Sequence, residues 1–328
     1  MAELNILEAI RGAMDEELER DPNVMILGED VGKKGGVFGA TEGLWAKYGG
    51  KRVLDTPLTE AMIAGAAAGA AIYGLRPIAE MQFADFSYPA FNQIVSEISR
   101  MRYRSNNTFG LPMVIRAPFG GGVHGALYHS QSNETYFTST VGLKVVAPGT
   151  PADAKGLLKA SVRDPDPVMF FEHKKTYRLF KAEVPDGDYV VPIGVADVAR
   201  PGTHLSIFCY GYMRFCALEA AETLAREDGV EAEVVDLRTL RPLDTATVLA
   251  SVAKTGKALV VHEANRFGGF GAEVAAIIAE QAFEHLDGPV TRLAGPEVPG
   301  VPFHHSLEDW FMLNPAKIVE AARALAAY

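Results

Sequence analysis

Short apolar runs alternate along this chain with stretches of helical spacing. Leu4, Leu7, Ile10, Met14 and Leu18 recur at three- and four-residue intervals, which predicts an amphipathic helix. Asp21-Pro22-Asn23 predicts a turn, and Val24–Leu27 a short apolar strand ending at Gly28-Glu29-Asp30. Further strands are expected at Pro77–Phe83, Leu111–Arg116, Leu143–Pro148 and Val168–Phe171. Helical spacing is found at Ile94, Ile98 and Met101 and again from Pro151 to Val162. This alternation predicts a mainly parallel sheet with helices on both faces. Turn-rich Pro185-Asp-Gly-Asp188 and Arg200-Pro-Gly-Thr203 then mark a linker. Beyond it, strands at Leu205–Tyr210, Glu233–Leu237, Ala258–Val261 and Val290–Leu293 alternate with helices over Met213–Arg226, Asp244–Ala253, Phe270–Leu286 and Pro315–Ala327. The expected division is a first α/β domain over 1–181, a linker over 182–203 and a second α/β domain over 204–328.

One stretch breaks the pattern informatively. Asp55-Thr-Pro-Leu-Thr-Glu60 precedes an uncharged run from Ala61 to Leu75 that is rich in Ala and Gly. Thr59 is a suitable N-cap, which puts Glu60 in the first helical turn. A lone glutamate there is ordinarily just a favourable terminal charge. Heading a helix expected to be buried, with small residues that admit a close neighbour, it becomes a candidate proton-transfer group. Two Gly-rich stretches stand apart. Gly32–Gly39 matches no phosphate-loop pattern and is expected to be a mobile surface loop. Gly120–Gln131 follows a strand and carries His124 and His129, a setting where binding groups concentrate, although either histidine alone is more often structural.

The formal net charge of −10 in 328 residues, with no basic block larger than Arg100-Met-Arg-Tyr-Arg104, argues against a nucleic-acid partner. Two cysteines, Cys209 and Cys216, make neither a disulfide framework nor a zinc site, so a reducing compartment is expected. The first twenty residues are amphipathic and acidic, unlike a signal or transit peptide. The uncharged run at 61–75 is too short and Gly-rich to span a bilayer. A cytoplasmic protein without membrane contact is the expectation.

Gly28-Glu-Asp-Val31, Gly35-Gly-Val-Phe38, Asp55-Thr-Pro-Leu58 with Glu60, Glu80-Met-Gln-Phe83, Arg102-Tyr-Arg104, His129-Ser-Gln131, Gly142-Leu-Lys-Val-Val146 and Val235-Asp-Leu-Arg-Thr239 occur together. On these motifs the chain resembles, nearly end to end, the beta subunit of the thiamine-diphosphate-dependent decarboxylase component of 2-oxo acid dehydrogenase complexes. Ala79-Glu-Met-Gln-Phe-Ala-Asp85, Pro89-Ala-Phe91 and His124-Gly-Ala-Leu-Tyr-His-Ser-Gln131 look most like branched-chain members, while pyruvate-specific subunits are similar. The resemblance implies a transketolase-like pyrimidine-binding domain followed by a transketolase C-terminal domain. It also implies an α₂β₂ heterotetramer with thiamine diphosphate held between alpha and beta, its diphosphate and magnesium on alpha. The alpha motif Gly-Asp-Gly is missing here, where Asp186-Gly-Asp188 has the wrong order.

Carried over by position, Glu60 hydrogen-bonds the aminopyrimidine ring nitrogen so that the cofactor becomes its own base. Phe86 packs on the pyrimidine face, with Glu29, Leu58, Thr59 and Gln82 around it. His129 serves the substrate and lipoyl side, and Phe86, Ser87, Tyr88 and Pro89 shape the pocket for a small 2-oxo acid. The resemblance also implies that the C-terminal domain docks the lipoyl acyltransferase core. Ser161, Asp164 and Asp166 mark a candidate monovalent-cation site, with potassium the candidate ion. Two departures are noted: Phe86 stands where branched-chain relatives often have Tyr, and Ser132-Asn-Glu-Thr135 replaces the more usual Ser-Pro-Glu. The alternatives are a pyruvate or acetoin dehydrogenase beta subunit, a nicotinamide-dependent oxidoreductase (disfavoured by the missing G-x-G-x-x-G) and a non-catalytic docking subunit.

Overall fold

A computed structural model describes all 328 residues. They form two compact units, one of residues 1–119 and 136–193, the other of residues 120–135 and 194–328.

The first unit contains β1 (Ala2–Leu4), α1 (Ile6–Arg20), β2 (Val24–Gly28), α2 (Leu44–Tyr48), β3 (Val53–Asp55), α3 (Glu60–Ile72), β4 (Arg76–Glu80), α4 (Met101–Arg104), β5 (Val114–Phe119), α5 (Thr135–Thr138), β6 (Lys144–Val146), α6 (Pro151–Arg163), β7 (Val168–His173) and β8 (Ala182–Val184). Its main sheet runs β6-β7-β5-β4-β2-β3 with every pair parallel, while β1 and β8 form a small antiparallel ribbon. Asn5 and Glu8 close a capping box that starts α1, each side chain bonded to the other's backbone N–H at 2.8–2.9 Å. Leu7, Ile10, Met14 and Leu18 of α1 share one apolar cluster with Ala154, Leu157 and Val162 of α6.

Element ends differ from the sequence pattern for local reasons. β4 stops at Glu80, the residue paired with the last position of β2, and the chain then turns into a 3₁₀ segment over Ala84–Ser87. β5 starts at Val114, since Pro112 has no N–H for the ladder and the Leu111 N–H goes to Pro165 O. The helical spacing through Ile94 and Met101 becomes a π-helical turn over Gln93–Ile98 followed by the short α4. The Gly-rich 32–39 stretch is not the loose surface loop its composition suggests. Gly32 N–H donates to Asp55 Oδ1 at 2.6 Å, Gly36 N–H to Asp30 O at 2.8 Å and Thr41 Oγ1 to Val31 O at 2.7 Å.

α3 corrects a second expectation. Ile63, Ala64, Ala67 and Ala71 are buried, but the opposite face, with Met62, Gly65, Ala66, Gly69 and Ile72, is exposed, and Tyr73 just beyond is 90 % exposed. The absence of charge therefore does not make this helix a core element within the chain. It leaves one small, apolar face open.

The second unit contains β9 (Asp197–Arg200), β10 (Leu205–Cys209), α7 (Met213–Asp228), β11 (Ala232–Asp236), β12 (Thr239–Arg241), α8 (Thr245–Thr255), β13 (Ala258–Asn265), α9 (Phe270–Gln281), β14 (Thr291–Gly295), α10 (His305–Phe311) and α11 (Pro315–Ala326). Its sheet runs β14-β13-β10-β11-β9, parallel apart from β9. Ile207, Val234 and Val261 of the sheet pack with Ala217, Ala221 and Leu224 of α7 and Ile318 and Ala322 of α11. α9 is shorter than its apolar pattern, giving way to a 3₁₀ turn over Phe283–His285. No helix is long and apolar enough to cross a membrane.

Candidate active site

In the first unit, three neighbouring parallel strands deliver the expected residues at their carboxyl ends, the edge where open α/β sheets bind ligands. β3 ends at Asp55, level with Gly28 of β2, which is in turn level with Glu80 of β4. Glu29 follows β2, Gln82 follows β4, and the 56–59 turn leads from β3 to Glu60, the first residue of α3. Thr59 occupies the N-cap position, and its carbonyl accepts the Met62 and Ile63 N–H groups, but its side chain makes no capping bond. Glu60 is half-buried.

The Gln82 Nε2 reaches Glu29 O at 3.5 Å. Burial, then the nearby charges of Asp30 and Glu60, hold the Glu29 carboxyl above its usual range. Glu29 and Glu60 therefore share one field. Phe86 packs edge-on against Phe83 at 5.3 Å between ring centroids, Phe83 against Phe38 at 5.4 Å, and Phe38 against Tyr177 at 5.3 Å. Leu58 is 72 % exposed. Of the pocket-shaping set, Tyr88 and Pro89 are exposed, whereas Ser87 is buried with its hydroxyl donating to Ala84 O at 2.6 Å.

Beneath these strand ends lies a buried ion network that sequence reasoning missed. Arg116 on β5 donates to Glu80 on β4 at 2.5 Å and, through Nε and Nη2, to both oxygens of Glu172 on β7 at 2.6 and 2.8 Å. Tyr177 OH donates to the same Glu172 at 2.6 Å. Burial works against the Arg116 charge, but Glu172 and Glu80 together raise its pKa above the ordinary value. Burial also pushes the Glu80 carboxyl up.

His129 belongs to the 120–135 segment of the second unit, and Glu60 to the first. It is half-buried, at the end of a single 3₁₀ turn over Ala126–Tyr128. Gly125 lies so close beneath that an added Cβ would come within 2.8 Å of His129 O and 2.9 Å of His129 Cβ. The segment's neck is closed by Gly120 N–H donating to Gln131 O at 3.1 Å. Nearby, Tyr210 OH donates to the fully buried Glu134 at 2.6 Å, and burial raises the Glu134 pKa to about 7.

Two family models divide the chain: "Transketolase, pyrimidine binding domain" matches residues 2–179 and "Transketolase, C-terminal domain" residues 194–318. The 2-oxoisovalerate dehydrogenase subunit beta of Bacillus subtilis (strain 168) is 56 % identical over 328 residues, covering 100 % of both chains. The chain belongs to the beta subunits of 2-oxo acid dehydrogenases. The pyruvate dehydrogenase E1 component subunit beta of the same organism is 47 % identical, covering 98 % of each chain. Among solved structures, a split-gene transketolase in the form of an inactive beta4 tetramer superposes with a TM-score of 0.80 at 25 % identity, covering 99 % of each chain.

In this beta subunit the candidate cation residues are already engaged. Asp164 accepts Lys144 Nζ at 2.6 and 2.7 Å, Asp166 accepts Arg102 Nε at 2.5 Å, and Ser161 Oγ donates to Leu157 O at 2.7 Å. Both carboxylates are thus paired with the chain's own cations.

Proposed function

We propose that this beta subunit joins an alpha subunit in an α₂β₂ heterotetramer that decarboxylates branched-chain 2-oxo acids and passes the acyl group to lipoyl groups of an acyltransferase core. The substrate assignment is supported by the 56 % identity to a 2-oxoisovalerate dehydrogenase subunit beta, against 47 % to a pyruvate dehydrogenase counterpart. Pyruvate is the second reading, carried by that second relative.

The donor set on the first unit fits the pyrimidine half of thiamine diphosphate. A half-buried carboxylate heads α3, a second carboxyl of raised pKa and an amide side chain stand beside it, and an aromatic row supplies flat apolar surface. That arrangement at the sheet's carboxyl edge is the observation that carries the proposal. When bound, thiamine diphosphate supplies the nucleophilic carbon and electron sink that loss of CO₂ from a 2-oxo acid requires. Glu60 would hold a proton at the pyrimidine ring nitrogen. Phe86 would pack on the ring, with Leu58, Thr59, Gln82 and Glu29 around it, and Tyr88 and Pro89 would bound the substrate side chain. His129 transfers protons on the lipoyl side. The alpha subunit holds the diphosphate and magnesium, and the C-terminal domain meets the acyltransferase core.

The test is turnover by the reconstituted heterotetramer. Glu60→Gln is expected to abolish decarboxylation while the heterotetramer still forms on gel filtration; wild-type turnover in that variant rejects the assignment.

A further inference from the structure

The 120–132 segment is rich in glycine, yet two buried carboxylates of the second unit hold its backbone. Glu308, on α10 and 1 % exposed, accepts the N–H groups of Gly122 at 2.9 Å and His124 at 3.2 Å through Oε1, while its Oε2 meets Nδ1 of the His124 ring. His124 sits at φ +58°, a left-handed conformation that a non-glycine residue keeps only when its surroundings enforce it. The His124 Nε2 faces His305 Nδ1 at 3.1 Å, so α10 grips both edges of that ring. Glu263, on β13 and 5 % exposed, accepts Gly121 N–H at 2.6 Å and Ser132 Oγ at 2.9 Å through a single oxygen. It thereby joins the start of the segment to its end. Carboxylates are costly to bury, and backbone N–H groups converging on them repay that only in this one conformation.

We propose that Glu308 and Glu263 are positioning residues that fix the conformation in which the 120–132 segment presents His129. Neither carboxylate needs to touch substrate; they act through Gly121, Gly122, His124 and Ser132. The functional half of this inference rests on the lipoyl-side role of His129 given above.

The experiment uses the full heterotetramer and two readouts. The first is hydrogen–deuterium exchange of the 120–132 peptide, with β10 and β13 peptides as internal controls. The second compares acyl transfer to a lipoylated lipoyl domain with decarboxylation coupled to an artificial electron acceptor. Glu308→Ala is expected to speed exchange of the 120–132 peptide by about tenfold or more with the controls unmoved. It is expected to slow lipoyl transfer by about tenfold or more, a misplacement effect, while artificial-acceptor turnover stays within about threefold. Glu308→Gln keeps an oxygen for the two N–H groups and is expected to restore most of the protection. Should Glu308→Ala not assemble, Ser132→Ala, which removes one donor to Glu263, is expected to speed exchange in the same peptide to a smaller degree. Unchanged exchange at 120–132, or equal acceleration in β10 and β13, overturns the proposal. Faster local exchange with undiminished lipoyl transfer also overturns it when His129→Ala abolishes transfer; if His129→Ala transfers normally, the reading of His129 is what falls.

Discussion

Arg116 grips Glu172 with two prongs of its guanidinium, Nε on Oε1 at 2.6 Å and Nη2 on Oε2 at 2.8 Å, while its third nitrogen takes Glu80. All three side chains are at most 5 % exposed, and they sit on the adjacent strands β4, β5 and β7. Removing the cation alone leaves two carboxylates stranded in low dielectric. Arg116→Met is expected to destabilise the protein by roughly 3–5 kcal/mol. Urea unfolding of the assembled protein checks this, and an unchanged midpoint contradicts it.

Glu134 gives a pH-dependent prediction. Burial raises its folded pKa to about 7 from the ordinary 4.5, so the fold favours the protonated acid. Between those values the native state binds more protons than the unfolded chain, and stability falls as pH rises from about 4.5 to 7. The full cost above that window is on the order of 3 kcal/mol. Glu134→Gln, which keeps the shape without the charge, is expected to be more stable than wild type at pH 8, with the difference shrinking severalfold by pH 5. Thermal melts at both pH values test it. A difference independent of pH rejects the assignment.

His262 imposes the opposite slope on both proteins, because burial lowers its pKa to about 4. Its contribution is lost as pH falls from 6.5 toward 4, and it cancels in the comparison between Glu134→Gln and wild type.

Gly65 separates folding from assembly. A Cβ there, as at Gly69, meets nothing within 4 Å, so the chain itself has room for a larger side chain. Leucine at this position gains about 0.8 kcal/mol in helix propensity. A partner packed closely on the small-residue face has no such room. Gly65→Leu is expected to leave the circular dichroism of the chain intact and to prevent heterotetramer formation with alpha. A normal heterotetramer on gel filtration would refute that use of the α3 face.

The parts legible in the sequence were those coded locally. Glu60 could be placed at a helix start because Thr59, Pro57 and the Ala/Gly run are its immediate neighbours, and the alternation of apolar runs was enough for two α/β units. The missed parts depend on residues far apart in the chain. Arg116 meets Glu80 and Glu172 only once β4, β5 and β7 lie side by side, an order that strand patterns do not state. Glu308 lies on a seven-residue helix opened by His305-Ser306, without a helical period long enough to read. The exposed face of α3 was misread for the converse reason. An uncharged helix looks the same whether its own chain or a partner is to cover it. Glu263 carries a local signal, an acid just beyond the buried run Ala258–Val261.

On our proposal, Glu60 stands at the base of a cofactor site shared with alpha and acting on branched 2-oxo acids. The most direct test is decarboxylation of 2-oxoisovalerate and pyruvate by this chain with and without a co-expressed alpha subunit, in thiamine diphosphate and magnesium, alongside Glu60→Gln. Turnover is expected only with alpha, faster on 2-oxoisovalerate, and absent in Glu60→Gln. Turnover by this chain alone, or an active Glu60→Gln heterotetramer, would contradict it.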